Sequence, residues 1–213
     1  MKHFIYLMAV FSILISVTVC SQTVRTFGLK AGLVNSGQTW KYSGTFAGFS
    51  PFDKRVSSVG LSGFVEWLDI PFLSIVTEIG YIHKAAADDV ILTSETSPEG
   101  IGTKTVKPGI NYLTIPLLLK VHYGLPVGTA YIIGGSRYDI MINKNEDAKG
   151  AVFDDFKTYD FGYIIGAGYE LPINLFNPIA LEARYSPSIQ KIYSSDKLSV
   201  KNNTVEVMLV LGL

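Results

Sequence analysis

The clearest pattern in the chain runs from Gly109 to Gly124, GINYLTIPLLLKVHYG. Every second residue from Leu113 is apolar: Leu113, Ile115, Leu117, Leu119, Val121 and Tyr123. The intervening positions, Tyr112, Thr114, Pro116, Leu118, Lys120 and His122, are mixed, with a lysine near the middle. A period of two predicts a strand and not a helix. The length suits a tilted strand crossing a membrane, which needs roughly 9–11 residues. The apolar face would then meet lipid and the mixed face the inside of a barrel. A half-buried strand of a soluble sandwich is the competing reading, so the rest of the chain has to decide.

Seven further segments show the same alternation, and together they predict eight strands. Val24 to Val34 sets Phe27, Leu29, Ala31 and Leu33 against Gly28, Lys30 and Gly32. Ser58 to Leu68 turns Val59, Leu61, Val65 and Trp67 outward and Glu66 inward; Leu73 to Lys84 does the same with Leu73, Ile75, Ile79 and Tyr81 against Glu78. After the opening stretch come Thr129 to Ile142, with Arg137 inward, and Tyr159 to Glu170, with Gly162, Gly166 and Gly168 inward. Ile179 to Ile192 places Glu182 and Arg184 inward, and Thr204 to Leu213 turns Val205, Val207, Leu209, Leu211 and Leu213 outward. The connections alternate long and short: loops over Ser36–Val56, Ala85–Pro108, Asn143–Lys157 and Ser194–Lys201, and tight turns at Asp69–Phe72, Gly124–Gly128 and Leu171–Asn177. Outer-membrane barrels have long extracellular loops and short periplasmic turns. A soluble sandwich has no reason to alternate them. The expected fold is therefore all-β: an eight-stranded antiparallel up-and-down transmembrane β-barrel.

The aromatic residues sharpen this. Trp67, Phe72, Tyr123, Tyr131 and Tyr169 fall near the short-turn rim, and Tyr81, Tyr112, Tyr138, Phe161 and Tyr193 near the long-loop rim. Such rings suit the two membrane interfaces. The inward faces carry charge: Lys30, Lys120, Arg137 and Arg184 against Glu66, Glu78, Glu182 and Glu206. Buried charges are costly unless paired and hydrogen-bonded. An eight-stranded barrel is just wide enough for side chains to fill it. Four cations facing four anions thus predict an interior charge network that plugs the barrel.

Tyr112-Leu113-Thr114-Ile115-Pro116-Leu117-Leu118-Leu119-Lys120 resembles the Y-L-x-I-P-L-L-L-K signature of the PorT-like outer-membrane β-barrel domain family, a group of small porin-like proteins. Gly28-Leu29-Lys30-Ala31-Gly32-Leu33 is similar to the family's G-x-K-A-G-x opening. The resemblance implies a Gram-negative outer membrane. It implies little about activity, although one branch of the family is linked to protein secretion. The chain departs from the usual aromatic barrel ending, since it stops at Leu211-Gly212-Leu213.

Composition agrees with a barrel. In 213 residues the formal net charge is zero, so no basic excess points to nucleic acid. Mean hydropathy is positive, yet after the N-terminus no long apolar run occurs. At the N-terminus, Lys2 and His3 precede an apolar run from Phe4 to Val19, followed by Val19-Cys20-Ser21. This reads as a signal peptide over residues 1–21, cleaved before Gln22, with the barrel domain over 22–213. Lipidation of Cys20 would call for a small residue before it, where Val19 stands. Cleavage removes the one cysteine, leaving no disulfide and no sulfur-ligated metal.

No catalytic set, cofactor or metal site is expected. Of the two histidines after the N-terminal segment, His83, near the long-loop rim with Asp88 and Asp89 close by, is the stronger candidate base for a lipid enzyme of the outer leaflet, and His122 at the other rim the weaker. Asn143 to Asp147 lacks the glycine and the terminal glutamate of a calcium loop. The expected role is a structural or interaction barrel acting through its long loops, with a small channel for ions or solutes as the alternative and a lipid-modifying enzyme as a third. The expected partners are outer-membrane lipid, the barrel assembly machinery, and envelope or secretion-complex proteins, with no nucleic acid.

Overall fold

The structure is a computed structural model that describes residues 24–94, 97–148, 153–171 and 178–213. The signal segment and its cleavage point lie outside the described residues, as does nearly all of the turn expected over 171–177. The described residues form ten strands: β1 (Val24–Tyr42), β2 (Lys54–Ile70), β3 (Leu73–Ser94), β4 (Ser97–Val106), β5 (Gly109–Gly124), β6 (Thr129–Lys144), β7 (Tyr159–Leu171), β8 (Ile179–Pro187), β9 (Tyr193–Ser194) and β10 (Leu198–Gly212). Eight of them, β1-β2-β3-β5-β6-β7-β8-β10, form a ring of antiparallel neighbours that the β1–β10 ladder closes. Closure leaves no free edge within the ring, which lipid demands of a sheet.

The alternation fixes the faces. On β5 the outward residues Ile115, Leu117, Leu119, Val121 and Tyr123 are exposed, while Tyr112, Pro116, Leu118, Lys120 and His122 are buried. Outward apolar residues on the other strands, among them Leu33 (66% exposed) and Val59 (64%), complete a lipid-facing band. Above that band the outer wall turns polar. Asn35 donates to Ser57 at 3.1 Å, and Arg55 bonds both Asn35 and Asn203. Further round, Tyr81 donates to Asn111 at 2.7 Å, and Asn111 donates to Asn143. This belt marks where hydrocarbon gives way to headgroups on the long-connection side.

Several long loops expected from polar composition are strand instead. β1 runs on to Tyr42, and the stretch taken as the Ala85–Pro108 loop is mostly the end of β3 paired with β4 from Asp88↔Val106 to Ser94↔Ser97. Val90, Ile91, Thr103 and Thr105 are good strand formers, and two such runs pairing across residues 95–96 satisfy each other's backbone. The seventh expected strand stops early, at Pro187, because proline has no N–H for the ladder. After Ser188 the chain leaves β10 and returns to it at Ile192 and β9, and β10 begins at Leu198 where a loop was expected.

Two expected interface aromatics lie wholly inside, and a third, Tyr193, is partly buried in the cluster at the long-connection end. Tyr112 and Tyr131 are buried (0% and 3% exposed), since each shares its strand's inward face with a charged residue, Lys120 and Arg137 respectively. The inward glycines make room for such side chains. A Cβ on Gly168 would collide with the Tyr131 ring, and one on Gly162 would lie 2.5 Å from Arg137 Nη2.

Candidate functional site

The inside of the barrel holds its charges in three tiers. The tier nearest the short turns centres on Glu66. Lys120 Nζ donates to Glu66 at 3.0 Å and to Glu170 at 2.6 Å, and lies 4.3 Å from the Tyr131 ring centre. Ser74 donates to Glu66 at 2.7 Å, and Arg25 and His122 stand 3.4 and 3.1 Å from it.

The middle tier is buried throughout. Arg184 grips Glu78 with both terminal nitrogens, at 2.9 and 2.6 Å, and its Nε bonds Glu182. Lys30 Nζ bridges the same two carboxylates, at 2.8 Å to Glu78 and 3.1 Å to Glu182. Tyr131 donates to Glu182 at 2.9 Å. Two cations and two anions interlock here, with the planar arginine fork matched to a carboxylate. Glu206 lies beside this tier and accepts from Thr204 at 3.1 Å.

The third tier sits toward the long connections. Lys84 Nζ donates to Asp160 at 3.1 Å and to Asp139, and Arg137 Nη1 donates to Asp139 at 2.6 Å. Ser188 and Asn202 donate to Asp160 at 2.7 and 3.1 Å. Of the eight residues expected in the interior network, Lys30, Glu78, Glu182 and Arg184 meet in one tier, Glu66 and Lys120 in another, and Arg137 in the third, with Glu206 at the edge of the middle one. Lys84, Asp139, Asp160 and Glu170 were missed, although parity could have found them. Lys84 shares a face with Glu78, Asp139 with Arg137, and Asp160 and Glu170 with the inward glycines of β7.

Between the middle and third tiers lies a partly open space of about 20 Å³ that reaches the wall at Leu61 and Tyr81 and is lined by Glu78, Thr114, Pro116, Arg137, Arg184 and Glu206 among others. It has room for about one water. The β3–β5 ladder lacks its rungs here, opposite Pro116, which has no N–H to give.

Above the third tier the filling becomes apolar. Trp40 of β1 is met by Phe52 at 5.1 Å, Phe153 at 5.8 Å and Phe156 at 6.2 Å between ring centres, and Phe156 in turn by Tyr193 at 6.0 Å. These rings come from three different connections and close the mouth over Val34, Ile82, Ile110, Ile192 and Val200.

His83 is not part of any tier. It lies on the outer wall, its Nδ1 2.6 Å from Asn111 Oδ1, within the polar belt. Outside the membrane, Lys54 pairs with Asp89 across β2 and β3. The hydrogen bond from Lys54 holds the Asp89 carboxyl below its usual range, and the same bond raises the Lys54 ammonium. Among the described residues no group of three or more His, Cys, Asp or Glu is placed to hold a metal ion.

Solved structures to which the chain is similar include bacterial outer-membrane barrels. Ail, the attachment invasion locus protein of Yersinia pestis, is 11% identical, covering 88% of this chain and 97% of its own with a TM-score of 0.45. The outer membrane protein OprG of Pseudomonas aeruginosa is 13% identical over 89% and 94%, TM-score 0.44. The outer membrane protease OmpT of Escherichia coli is 10% identical over 90% and 97%, TM-score 0.40. These likenesses concern the fold alone. No curated protein matches the chain. The family model described as "Outer membrane protein beta-barrel domain" matches residues 57–194, so the chain belongs to that family and is a protein of the cell outer membrane.

Proposed function

We propose that the protein is a closed outer-membrane scaffold that works through its extracellular end, and neither a solute channel nor an enzyme. The observation that carries this reading is the filling of the interior: three tiers of paired charge, then an apolar mouth, with a water-sized space between two of the tiers. An aqueous path would need a continuous wet lumen, as in much wider barrels. The element best suited to meet a partner is the hairpin of β3 and β4. Above Ala87, β3 pairs with β4 alone, so the hairpin offers open strand edges with Val90 and Ile91 exposed on it. Open edges of this kind accept an added strand.

Within the family, the run Tyr112–Lys120 and the opening Gly28–Leu33 favour the PorT-like group. That group's link to protein secretion makes an envelope or secretion-complex protein the favoured class of partner. The test is solute uptake. Liposomes carrying the refolded protein, placed in an isotonic sugar solution, should swell no faster than empty ones. Swelling that rises with the amount of protein would replace the scaffold reading with the channel.

A further inference from the structure

Among the described residues the cations inside the barrel have carboxylate partners, whereas three unpaired lysines are gathered at one place on the outer wall. After the Asn203↔Pro187 rung, Ser188 N–H still donates to Asn202 O at 2.9 Å, and the chain then leaves β10. Ile189 and Gln190 instead donate their backbone N–H groups to Phe161 O, at 2.9 and 3.1 Å, and contact with β10 resumes through Ile192 and Tyr193. This detour opens a cavity of about 430 Å³ on the outer wall, into which Lys41 of β1, Lys201 of β10 and Lys191 of the detour all contribute. Among the described residues its lining carries no carboxylate, and none of the three lysines has an ion-pair or hydrogen-bond partner. The remaining lining adds the polar side chains of Tyr185, Thr39, Ser199 and Asn203, while Ser188 and Asn202 donate inward to Asp160.

The height of the cavity identifies its ligand. Below it run the lipid-facing residues Leu181 on β8 and Val205, Val207 and Leu209 on β10. Its lower edge, Asn203, is bonded to Arg55 in the polar belt that ends the apolar band. The site therefore opens sideways, at the level of the outer-leaflet headgroups. Lysines are point-charge binders of phosphate, and pockets of roughly 300–1,000 Å³ take small organic groups.

We propose that Lys41, Lys191 and Lys201 form a binding site for the phosphorylated headgroup of an outer-leaflet lipid. The chain would use it to hold one lipid against the β1–β10–β8 wall and so fix the height of its extracellular end. This rests on the outer-membrane location and is independent of whether the interior conducts.

The test uses the full mature chain refolded into phosphatidylcholine vesicles that contain either lipid A with its phosphates or lipid A stripped of them. The lipid retained after detergent extraction is then read by native mass spectrometry. The wild type should retain the phosphorylated lipid and not the stripped form. The combined substitution Lys41→Gln, Lys191→Gln and Lys201→Gln should weaken retention by about a hundredfold, since a lysine near an anionic lipid surface contributes about fivefold. The single Lys191→Gln, at an exposed site, should weaken it by about fivefold and guards against a folding defect in the triple variant. A control lacking Lys104 and Lys107, on the β4 side, should bind like the wild type. Equal retention by wild type and triple variant, equal retention of stripped lipid, or equal loss in the control would overturn the site. Displacement of the lipid by millimolar inorganic phosphate would overturn the lipid assignment and leave a site for soluble anions.

Discussion

The middle of the barrel and its mouth are closed by opposite kinds of chemistry. In the middle, Lys30, Arg184, Glu78 and Glu182 come from ring strands β1, β8 and β3, and each is held by partners across the lumen. At the mouth, Trp40 and Tyr112 are carried by ring strands, and Phe52, Phe153, Phe156 and Tyr193 close over them from connecting segments or the short β9. The difference follows from how each part is built. A strand inside an eight-stranded ring must point every second side chain into a narrow lumen, where long charged side chains reach one another and span it. The mouth is closed by chain that folds inward from outside the membrane, which hydrophobic burial alone can drive. Charge pairing therefore ties opposite walls together, whereas the aromatic cap ties connections to the ring.

The largest effect should come from breaking the middle tier. Arg184→Met leaves Glu78 and Glu182 with Lys30 as their remaining cation. Breaking a buried pair typically costs about 3–5 kcal/mol. Urea unfolding in detergent should therefore shift strongly to lower concentration while outer-membrane insertion persists. An unchanged midpoint would mean that the tier is hydrated and the walls are not tied.

Trp40→Ala should come next. Core Trp→Ala changes cost about 3–5 kcal/mol, and at a mouth where loops can collapse the low end is expected. The cap should show it locally. Amide exchange should quicken around Phe153 to Phe156 and leave β5 and β6 protected. Uniform acceleration through the barrel would show that the cap and the ring unfold as one unit.

Lys120→Met should cost less than Arg184→Met, about 1–3 kcal/mol. Glu66 keeps Arg25, Ser74 and His122 as neighbours, so the carboxylate left without a strong partner is Glu170, which lies nearer the short-turn rim. Adding Glu170→Gln to Lys120→Met should recover part of the loss in a double-mutant cycle. Adding Glu182→Gln should recover none, since Glu182 belongs to the middle tier. Recovery with Glu182→Gln instead would redraw the tiers.

The smallest effect belongs to the exposed pair Lys54 and Asp89. Exposed pairs contribute little, so Asp89→Asn should leave the unfolding midpoint at neutral pH nearly unchanged. The folded-state Asp89 pKa is depressed below its ordinary value of 3.8, so whatever the pair contributes is present above that pH and fades as pH falls through the lowered value. A wild-type-minus-variant difference that instead grows on acidification would contradict the pairing.

Much of this was legible in the chain before the fold. The alternation in β5 gave the strand Gly109 to Gly124 with both ends, and the parity of Lys30, Glu78 and Arg184 placed them inside. What stayed hidden was set by partners distant in sequence. Residues 88–106 read as a loop because their polarity suits solvent, yet β3 and β4 pair there from Asp88↔Val106 to Ser94↔Ser97. Lys84 looked like the end of a strand because β3 continues past the apolar band, where nothing in its hydropathy marks a boundary. Phe153 and Phe156 lie in a charged segment, and only the folded mouth shows that they turn inward to Trp40. The outer lysines Lys41, Lys191 and Lys201 are far apart in sequence and are gathered by the β8 detour at Pro187.

The central claim is that paired charges and an aromatic cap close the barrel. Ions are smaller than any sugar, so ionic current across a planar bilayer is the most direct test. With the full mature chain inserted, the current should stay at the level of the bare bilayer at both polarities. Steady unitary steps that scale with salt concentration would show a continuous wet path and contradict the account.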